Sequence, residues 1–353
     1  MTADLTHTVT HFSGAAEWTG VTDGDRIAWL AMRQTMVTAS DVACILGEST
    51  RSALSVYADK VCPPPEEEEA LELDDPRLWG SVLEQPILTT VAAKKGWSYR
   101  KGGALLRSRK YPWLGATLDA EIDRHDGNGW INLEGKTSQV TREWDEDEER
   151  LPTPYLIQVH SQAVVIDSPL SVVWALLVGC RPCQIDVEKS SRLQSLIVET
   201  SHDFMERVKR LDPPDPDHRD SSRKALERLH GPGDGDAVRL PAAAVEWAHE
   251  LAAIAERKKE DKRREDEIKN LLRASIGSAS YGVLEKPVDG KQFFRWQQEA
   301  RGKVLRQMKS GPRNVRRLPA ATTPPTLEDQ LRASVADHEN VTPIHRGRRR
   351  SRR

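Results

Sequence analysis

Apolar residues recur along this chain with two different periods, and the switch between them outlines the elements. Between residues 25 and 36, Ile27, Leu30 and Ala31 share one face of a 3.6-residue repeat with Trp29 beside them, which predicts a helix. Thr38 precedes Ala39, Ser40, Asp41 and the apolar stretch Val42 to Leu46, closed by Gly47; that order predicts an N-cap, a short helix and a terminating glycine. A longer helix is predicted from Arg77 to Lys95, stopped by Gly96, with Leu83, Ile87 and Val91 as its buried stripe and Pro86 as a kink. The period then shortens. Ala104 to Arg107, Leu114 to Thr117, Glu121 to Arg124 and Trp130 to Lys136 read as strands, the last two joined by a turn at His125-Asp126-Gly127-Asn128-Gly129. Residues 155–166 and 192–209 return to helical spacing, on either side of a buried strand, Val172 to Val178, and a short run, Gln184 to Val187.

Past residue 210 the pattern changes again. Residues 211–241, rich in Pro, Asp and Gly, read as a linker. Glu246 to Ala274 reads as a long charged helix, and Ser280 to Trp296 as a hairpin turning at Asp289-Gly290. Beyond 301 the periodicity fades and disorder is expected. The predicted organisation is therefore a domain over 1–210, a linker over 211–241, a helix and hairpin extension over 242–300, and a basic tail over 301–353.

Charge sharpens that division. The formal net charge is −2, yet residues 301–353 carry 14 Lys and Arg against 4 Asp and Glu, a net of +10, leaving −12 on the first 300. A basic tail on an acidic body suits a nucleic-acid partner. No apolar run approaches the ~18 residues that a membrane span needs, and Met1 to Thr10 lacks a signal-peptide pattern, so a cytoplasmic protein without a membrane partner is expected. Four cysteines in 353 residues make no disulfide framework. Cys180 and Cys183 form a lone CxxC in a turn, and Cys44 and Cys62 lack the spacing to complete a metal or iron–sulfur site, so free thiols are expected.

Glu84 on the long helix, Asp119 near a strand end, and Glu134 and Lys136 on the following strand stand out as candidate chemistry. Residues two apart on a strand point to one face, so Glu134 and Lys136 belong together. An antiparallel hairpin would bring Asp119 beside them, with Asp123 competing for the same place. Clustered carboxylates repel, and a divalent cation relieves the repulsion. Such a cation acidifies water and neutralises phosphate charge.

The order of the surrounding residues resembles the phage lambda exonuclease and YqaJ-type viral recombinase family. Trp29 to Arg33 followed by Val37 to Val42 resembles its W-x-x-x-R and (I/V)-T-A-S opening. Trp79-Gly80-Ser81-Val82-Leu83-Glu84 is similar to its W-G-x-x-x-E helix, and Gly115 to Ala120 stands where the family has Pro-Asp-Gly. Leu133 to Thr137 resembles its L-E-x-K strand, and Tyr155 to Gln158, with Gln162 one turn later, its Y-x-x-Q helix. These motifs span about residues 25–190. The resemblance implies an α/β PD-(D/E)xK core of restriction-endonuclease type, a mixed central sheet flanked by helices.

It also implies roles. Asp119, Glu134 and the carbonyl of Gly135 would bind the metal, with Glu84 approaching it directly or through water. That metal would be a pair of magnesium ions, with manganese as substitute. Lys136 would activate the attacking water, and Gln158 would hold the strand end or the nucleophile, though a buried structural amide reads it equally well. Arg33 and Ser40 would receive a DNA 5′ phosphate; alone they read as a surface arginine and a helix cap. The implied activity is a 5′ to 3′ exonuclease on linear double-stranded DNA that leaves 3′ single strands for recombination by annealing. A ring-like homotrimer and a single-strand annealing protein would be its partners, and the bacterial host cytoplasm its place if a phage encodes it. Leu118, Ala120 and Gly135 depart from the family pattern. Two alternatives stay open: a Cas4-like or RecB-like end processor, whose usual four iron–sulfur cysteines this chain does not supply, and, motivated by Leu118 and Ala120, a catalytically weak scaffold that binds DNA ends.

Overall fold

The strand that carries Glu134 and Lys136 lies inside a five-stranded mixed sheet. The computed structural model describes residues 14–64, 70–233, 235–277, 279–299, 302–309 and 311. The chain divides into two compact units, Met1–Asp236 and Ala237–Arg353.

The first unit opens with β1 (Ala16–Thr22), α1 (Arg26–Arg33), β2 (Val37–Thr38), α2 (Ala39–Ile45) and α3 (Ala53–Val61). The long α4 (Pro76–Lys95) follows, then β3 (Ser98–Lys101), β4 (Ala104–Ser108), β5 (Leu114–Thr117), β6 (Ala120–Asp123) and β7 (Trp130–Ser138). After α5 (Thr153–Ile166) come β8 (Leu170–Leu177), β9 (Arg181–Glu188), α6 (Ser191–Lys209) and α7 (Asp220–His230). Asp25 caps α1 by accepting from the Ala28 N–H at 3.1 Å, and Asp75 caps α4 through the Arg77 N–H at 2.8 Å. Gly96 ends α4 in the left-handed conformation, with φ +71°.

Five strands pair in the order β3-β6-β7-β8-β9. β7 runs antiparallel to β6 and parallel to β8. A parallel pair needs a crossover, and α5 supplies it. Alternation gives the sheet two faces. Ala120, Ile122, Ile131, Leu133 and Val172 form one and pack with Leu88 and Ala92 of α4. Val173, Ala175, Ile185 and Val187 lie on the other, with Val159 of α5, Trp144 and Leu151. The remaining strands form a second sheet, β1-β4-β5-β2, whose core is shared with α2, α3, α5 and α6.

A single central sheet was expected, and two are found. The chain changes sheet twice at nearly one place, between β3 and β4 and between β5 and β6. There the Gly102 and Gly103 N–H groups donate to the carbonyls of Asp119 (3.1 Å) and Leu118 (2.9 Å). A Cβ on Gly102 would lie 1.9 Å from the Leu118 oxygen, so only glycine allows the crossing. The same clamp fixes the backbone of Asp119.

Three further expectations change. Leu83 is 37% exposed, and the buried residues of α4 are Leu88, Val91 and Ala92. Leu88 rather than Leu83 faces the sheet because β7 presents a glycine there, Gly135, into whose space the Leu88 side chain fits. Residues 211–241, expected as a linker, contain α7, which buries Ser222 and Ala225 and docks on α3. Polar contacts hold it: Arg228 pairs with Asp59 at 2.6 Å, and the Ser52 N–H donates to Ser221 at 2.9 Å. Hydrophobic periodicity carries no trace of such contacts. In the second unit, α8 (Ala243–Ile276) precedes an antiparallel sheet of β10 (Tyr281–Val288), β11 (Lys291–Glu299) and β12 (Gly302–Met308). The tail expected from 301 therefore begins with a paired strand, and its part from 312 onward lies outside the described residues. Among the described residues, no helix is long and apolar enough to cross a membrane.

A Cβ at Gly135 would meet three Leu88 side-chain atoms at 3.1–3.2 Å, and Leu88 is itself fully buried. Gly135→Val should therefore lower unfolding stability by about 1–3 kcal/mol through overpacking, although valine favours strands. Leu88→Ala in the same chain should recover part of that loss, as measured by urea unfolding of the single and double variants.

Candidate active site

Asp119 leaves β5 in line with β6, where Ala120 stands opposite Leu133 of β7. That register carries the Asp119 carboxylate to the Glu134–Gly135 peptide, and its Oδ2 accepts from the Gly135 N–H at 2.9 Å. Glu134 is fully buried. Its Oε1 accepts from Lys136 and from Gln158, and its Oε2 from Gln162 at 2.6 Å. Gln158 and Gln162 lie one turn apart on α5, so both reach the same carboxylate. The Lys136 ammonium also lies 5.3 Å from the Tyr155 ring centroid.

The electrostatics follow from this crowding. Burial and the neighbouring Glu134 push the Asp119 carboxyl well above the ordinary aspartate range, with Glu84 adding to the effect. Glu84 on α4 shifts upward for the same two reasons, burial first and Glu134 second. Burial alone would depress the Lys136 ammonium, but Glu134 and Asp119 outweigh it and hold its pKa above that of an ordinary lysine. Lys136 is thus a fixed positive charge among carboxylates that repel one another. Tyr99 completes the surroundings. Burial, then Glu84 and Asp119, push its hydroxyl up to about 12, and it donates to Gln85 at 2.6 Å, which in turn donates to the Asp119 carbonyl at 3.1 Å.

A second group of charges lies on α1 and α2. Arg33 donates to Ser40 Oγ at 3.2 Å and to Asp41 Oδ1 at 2.8 Å, and its guanidinium lies 4.3 Å from the Trp29 ring centroid. Asp41 Oδ2 accepts from Lys60 Nζ at 2.8 Å, from the Thr38 N–H at 3.0 Å and from the Thr38 hydroxyl at 2.8 Å. Lys60 also donates to the Arg33 carbonyl at 2.8 Å. Burial would raise the Asp41 pKa, yet Arg33 and Lys60 hold it far below the usual carboxylate range. Arg33 is thereby aimed by a buried anion, with Ser40 exposed beside it.

One cleft connects the two groups. A cavity of about 640 Å³ is lined by Arg26, Trp29, Arg33, Ser40, Asp119 and Gln158 among others. A smaller one of about 140 Å³ is lined by Glu84, Gly135 and Lys136. Every residue expected at the site thus lines one of these cavities except Glu134, which sits fully buried behind them. Asp123 does not join them: its carboxylate accepts from the His125 N–H at 2.8 Å in the β6–β7 turn. Among the described residues, no three His, Cys, Asp or Glu side chains form a metal-binding group by themselves, the cysteines included.

Sequence reasoning missed Asp41, Lys60 and Asn132 and gave Gln162 no role. Asp41 and Lys60 read as ordinary helix residues because their pairing joins separate helices. Gln162 carried a usable signal, its spacing of four from Gln158.

Residues 28–168 match the family model described as the YqaJ-like viral recombinase domain. No curated protein sequence matches the chain. Among solved structures, an alkaline exonuclease from Laribacter hongkongensis aligns with 16% identity over 52% of this chain and 93% of its own, at a TM-score of 0.40. The same exonuclease in complex with dAMP aligns with 15% identity over 57% and 96%, also at 0.40. A phage-related exonuclease from Haemophilus somnus 129PT aligns with 13% identity over 50% and 94%, at 0.39.

Asp41→Asn should leave Lys60 and Arg33 as uncompensated buried cations and cost about 3–5 kcal/mol at neutral pH. The wild-type pairing has a depressed folded pKa, so its stabilisation is present above the unfolded value of 3.8 and drains away as pH falls below it. The gap between the two stability curves should therefore be constant above about pH 4 and narrow progressively as pH falls below it. Unfolding midpoints from pH 2 to 8 would check this.

Proposed function

We propose that residues 28–168, a YqaJ-like viral recombinase domain, make this chain a metal-dependent DNA exonuclease acting in phage-type recombination. The observation that carries the reading is the meeting of Asp119, Glu134 and Lys136 beside a cleft that also holds Arg33 and Ser40. A hydrolytic group and an anion-binding group then face one elongated polyanion. The proposed core is of the PD-(D/E)xK type, and the proposed reaction is 5′ to 3′ resection of linear double-stranded DNA, leaving a 3′ strand for an annealing protein. A ring-like homo-oligomer belongs to the same proposal.

The donor set suits magnesium. Asp119, Glu134 and the Gly135 carbonyl are hard oxygen donors, and burial first and Glu134 second raise the pKa values of Asp119 and Glu84, a cost that a cation would relieve. When bound, magnesium or manganese would acidify a water and neutralise phosphate charge. The chain's own residues do the rest. Arg33, held by Asp41, offers a guanidinium to the terminal 5′ phosphate, and Ser40 offers a hydroxyl. Lys136, held against Glu134 at the wall of the smaller cavity, would position and activate the attacking water. Gln158 holds Glu134 from the cleft side.

The departures from the family pattern are packing choices. Leu118 is buried in the core beneath the second sheet, Ala120 faces α4, and Gly135 makes room for Leu88. None of them removes a donor, which supports a catalytic reading over a weak scaffold.

Two expectations test the reading on end-labelled linear duplex DNA. Lys136→Met should lower kcat by about 10²–10³-fold, the cost of removing one preorganised donor, while sparing manganese binding measured by calorimetry. Ser40→Ala, which leaves the Arg33–Asp41 pair intact, should narrow the rate difference between 5′-phosphate and 5′-hydroxyl ends. Equal rates on both ends in the wild type would contradict the anion-binding role of this cleft.

A further inference from the structure

Glu134 is gripped from two sides, and only one grip faces the cleft. Lys136 and Gln158 take Oε1; Oε2 is held by Gln162, which is fully buried. Gln162 Nε2 donates to Glu134 Oε2 at 2.6 Å and to the Thr117 carbonyl at 3.3 Å, and both partners are acceptors. Both amide hydrogens are therefore committed, and Gln162 Oε1 must point the other way. There it accepts from Asn132 Nδ2 at 2.8 Å. Asn132 is likewise fully buried on β7, two residues from Glu134 on the same face, and its Nδ2 also lies 3.4 Å from Ser171 Oγ on β8. The chain of donors runs one way only: Asn132 to Gln162 to Glu134.

We propose that Asn132 and Gln162 form a buried amide relay that fixes the rotation of the Glu134 carboxylate, and that both are positioning residues for the cation-bound centre. The proposal rests on the exonuclease reading above. It goes beyond it by assigning function to two side chains that touch neither the cleft nor any substrate.

The physical reason for the relay is the small number of ways to satisfy Oε2 in a water-free place. A carboxylate rotates about its last bond with little resistance. Lys136 and Gln158 constrain one oxygen and leave the plane of the group free to tilt. A second donor, itself unable to flip because its own oxygen is occupied, removes that freedom. Groups behind a metal ligand commonly act in this manner, and their loss costs about 10–100-fold in metal affinity or activity.

The test uses the full chain with Gln162→Met, Asn132→Leu and the double variant, each checked for folding by thermal melting. Manganese binding is measured by calorimetry, and kcat and KM are measured on linear duplex DNA. In Gln162→Met, manganese affinity and kcat should each fall by about 10–100-fold, while KM for DNA stays near the wild-type value. Asn132→Leu should fall in the same direction by less, because Gln162 keeps its bond to Glu134 but loses its orientation. The double variant should be no worse than Gln162→Met, since Asn132 acts only through Gln162. Folded variants with wild-type manganese affinity and kcat would overturn the relay. So would additive losses in the double variant, or unfolding of both single variants, which would show a packing role instead. If the wild type cleaves no DNA, the exonuclease reading fails, and the calorimetric comparison still decides the relay.

Discussion

Asp119 and Glu134 repel one another where the floor of the cleft meets the buried sheet, and the surrounding structure is arranged around that repulsion. Two carboxylates left to themselves would separate or take up a proton, and the upward shift of Asp119 records the tension. The backbone prevents separation. Asp119 is pinned at a sheet junction that Gly102 alone permits, and Glu134 sits in the middle strand of a five-stranded sheet. Donors then surround the pair: the Gly135 N–H on one acid, Lys136, Gln158 and Gln162 on the other. What remains unbalanced is charge, and in the proposed reading a hard divalent cation would supply what one lysine cannot.

A different solution serves the second charged group. Arg33, Asp41 and Lys60 form a triad of one carboxylate between two cations, which leaves one positive charge over. Buried ion pairs of this kind seldom add much stability, because desolvation offsets the attraction. Their effect here is geometric: the triad ties α1, α2 and α3 together and turns the guanidinium toward the cleft. The two groups thus divide the work. One gathers carboxylates around a lysine, and the other presents a guanidinium at a fixed place.

Much of this was legible in the sequence because it depends on local spacing. The two-residue interval between Glu134 and Lys136, the Gly-rich turn after β6 and the helical rhythm of α4 and α5 are all short-range signals. They recovered most of the first unit's strands and helices and the pairing of Glu134 with Lys136, whereas Arg33, Ser40, Gly135 and Gln158 came from the resemblance to the recombinase family. What escaped depends on partners far apart in the chain. The splitting of the sheet follows from a glycine–carbonyl contact between residues 102 and 118. The docking of α7 rests on polar contacts spanning about 170 positions. Gly135, a departure from the family pattern, leaves the space that Leu88 fills. Such complementarity belongs to pairs of elements, and no single stretch of sequence announces it.

In the proposed reading the Asp119–Glu134–Lys136 group is a cation-dependent hydrolytic centre, and the decisive measurement is nucleotide release from linear duplex DNA. The wild-type protein should release nucleotides with magnesium and none after exhaustive chelation, and Glu134→Ala, confirmed as folded, should release almost none in either condition. Undiminished release by the chelated wild type, or by Glu134→Ala with magnesium, would contradict the account.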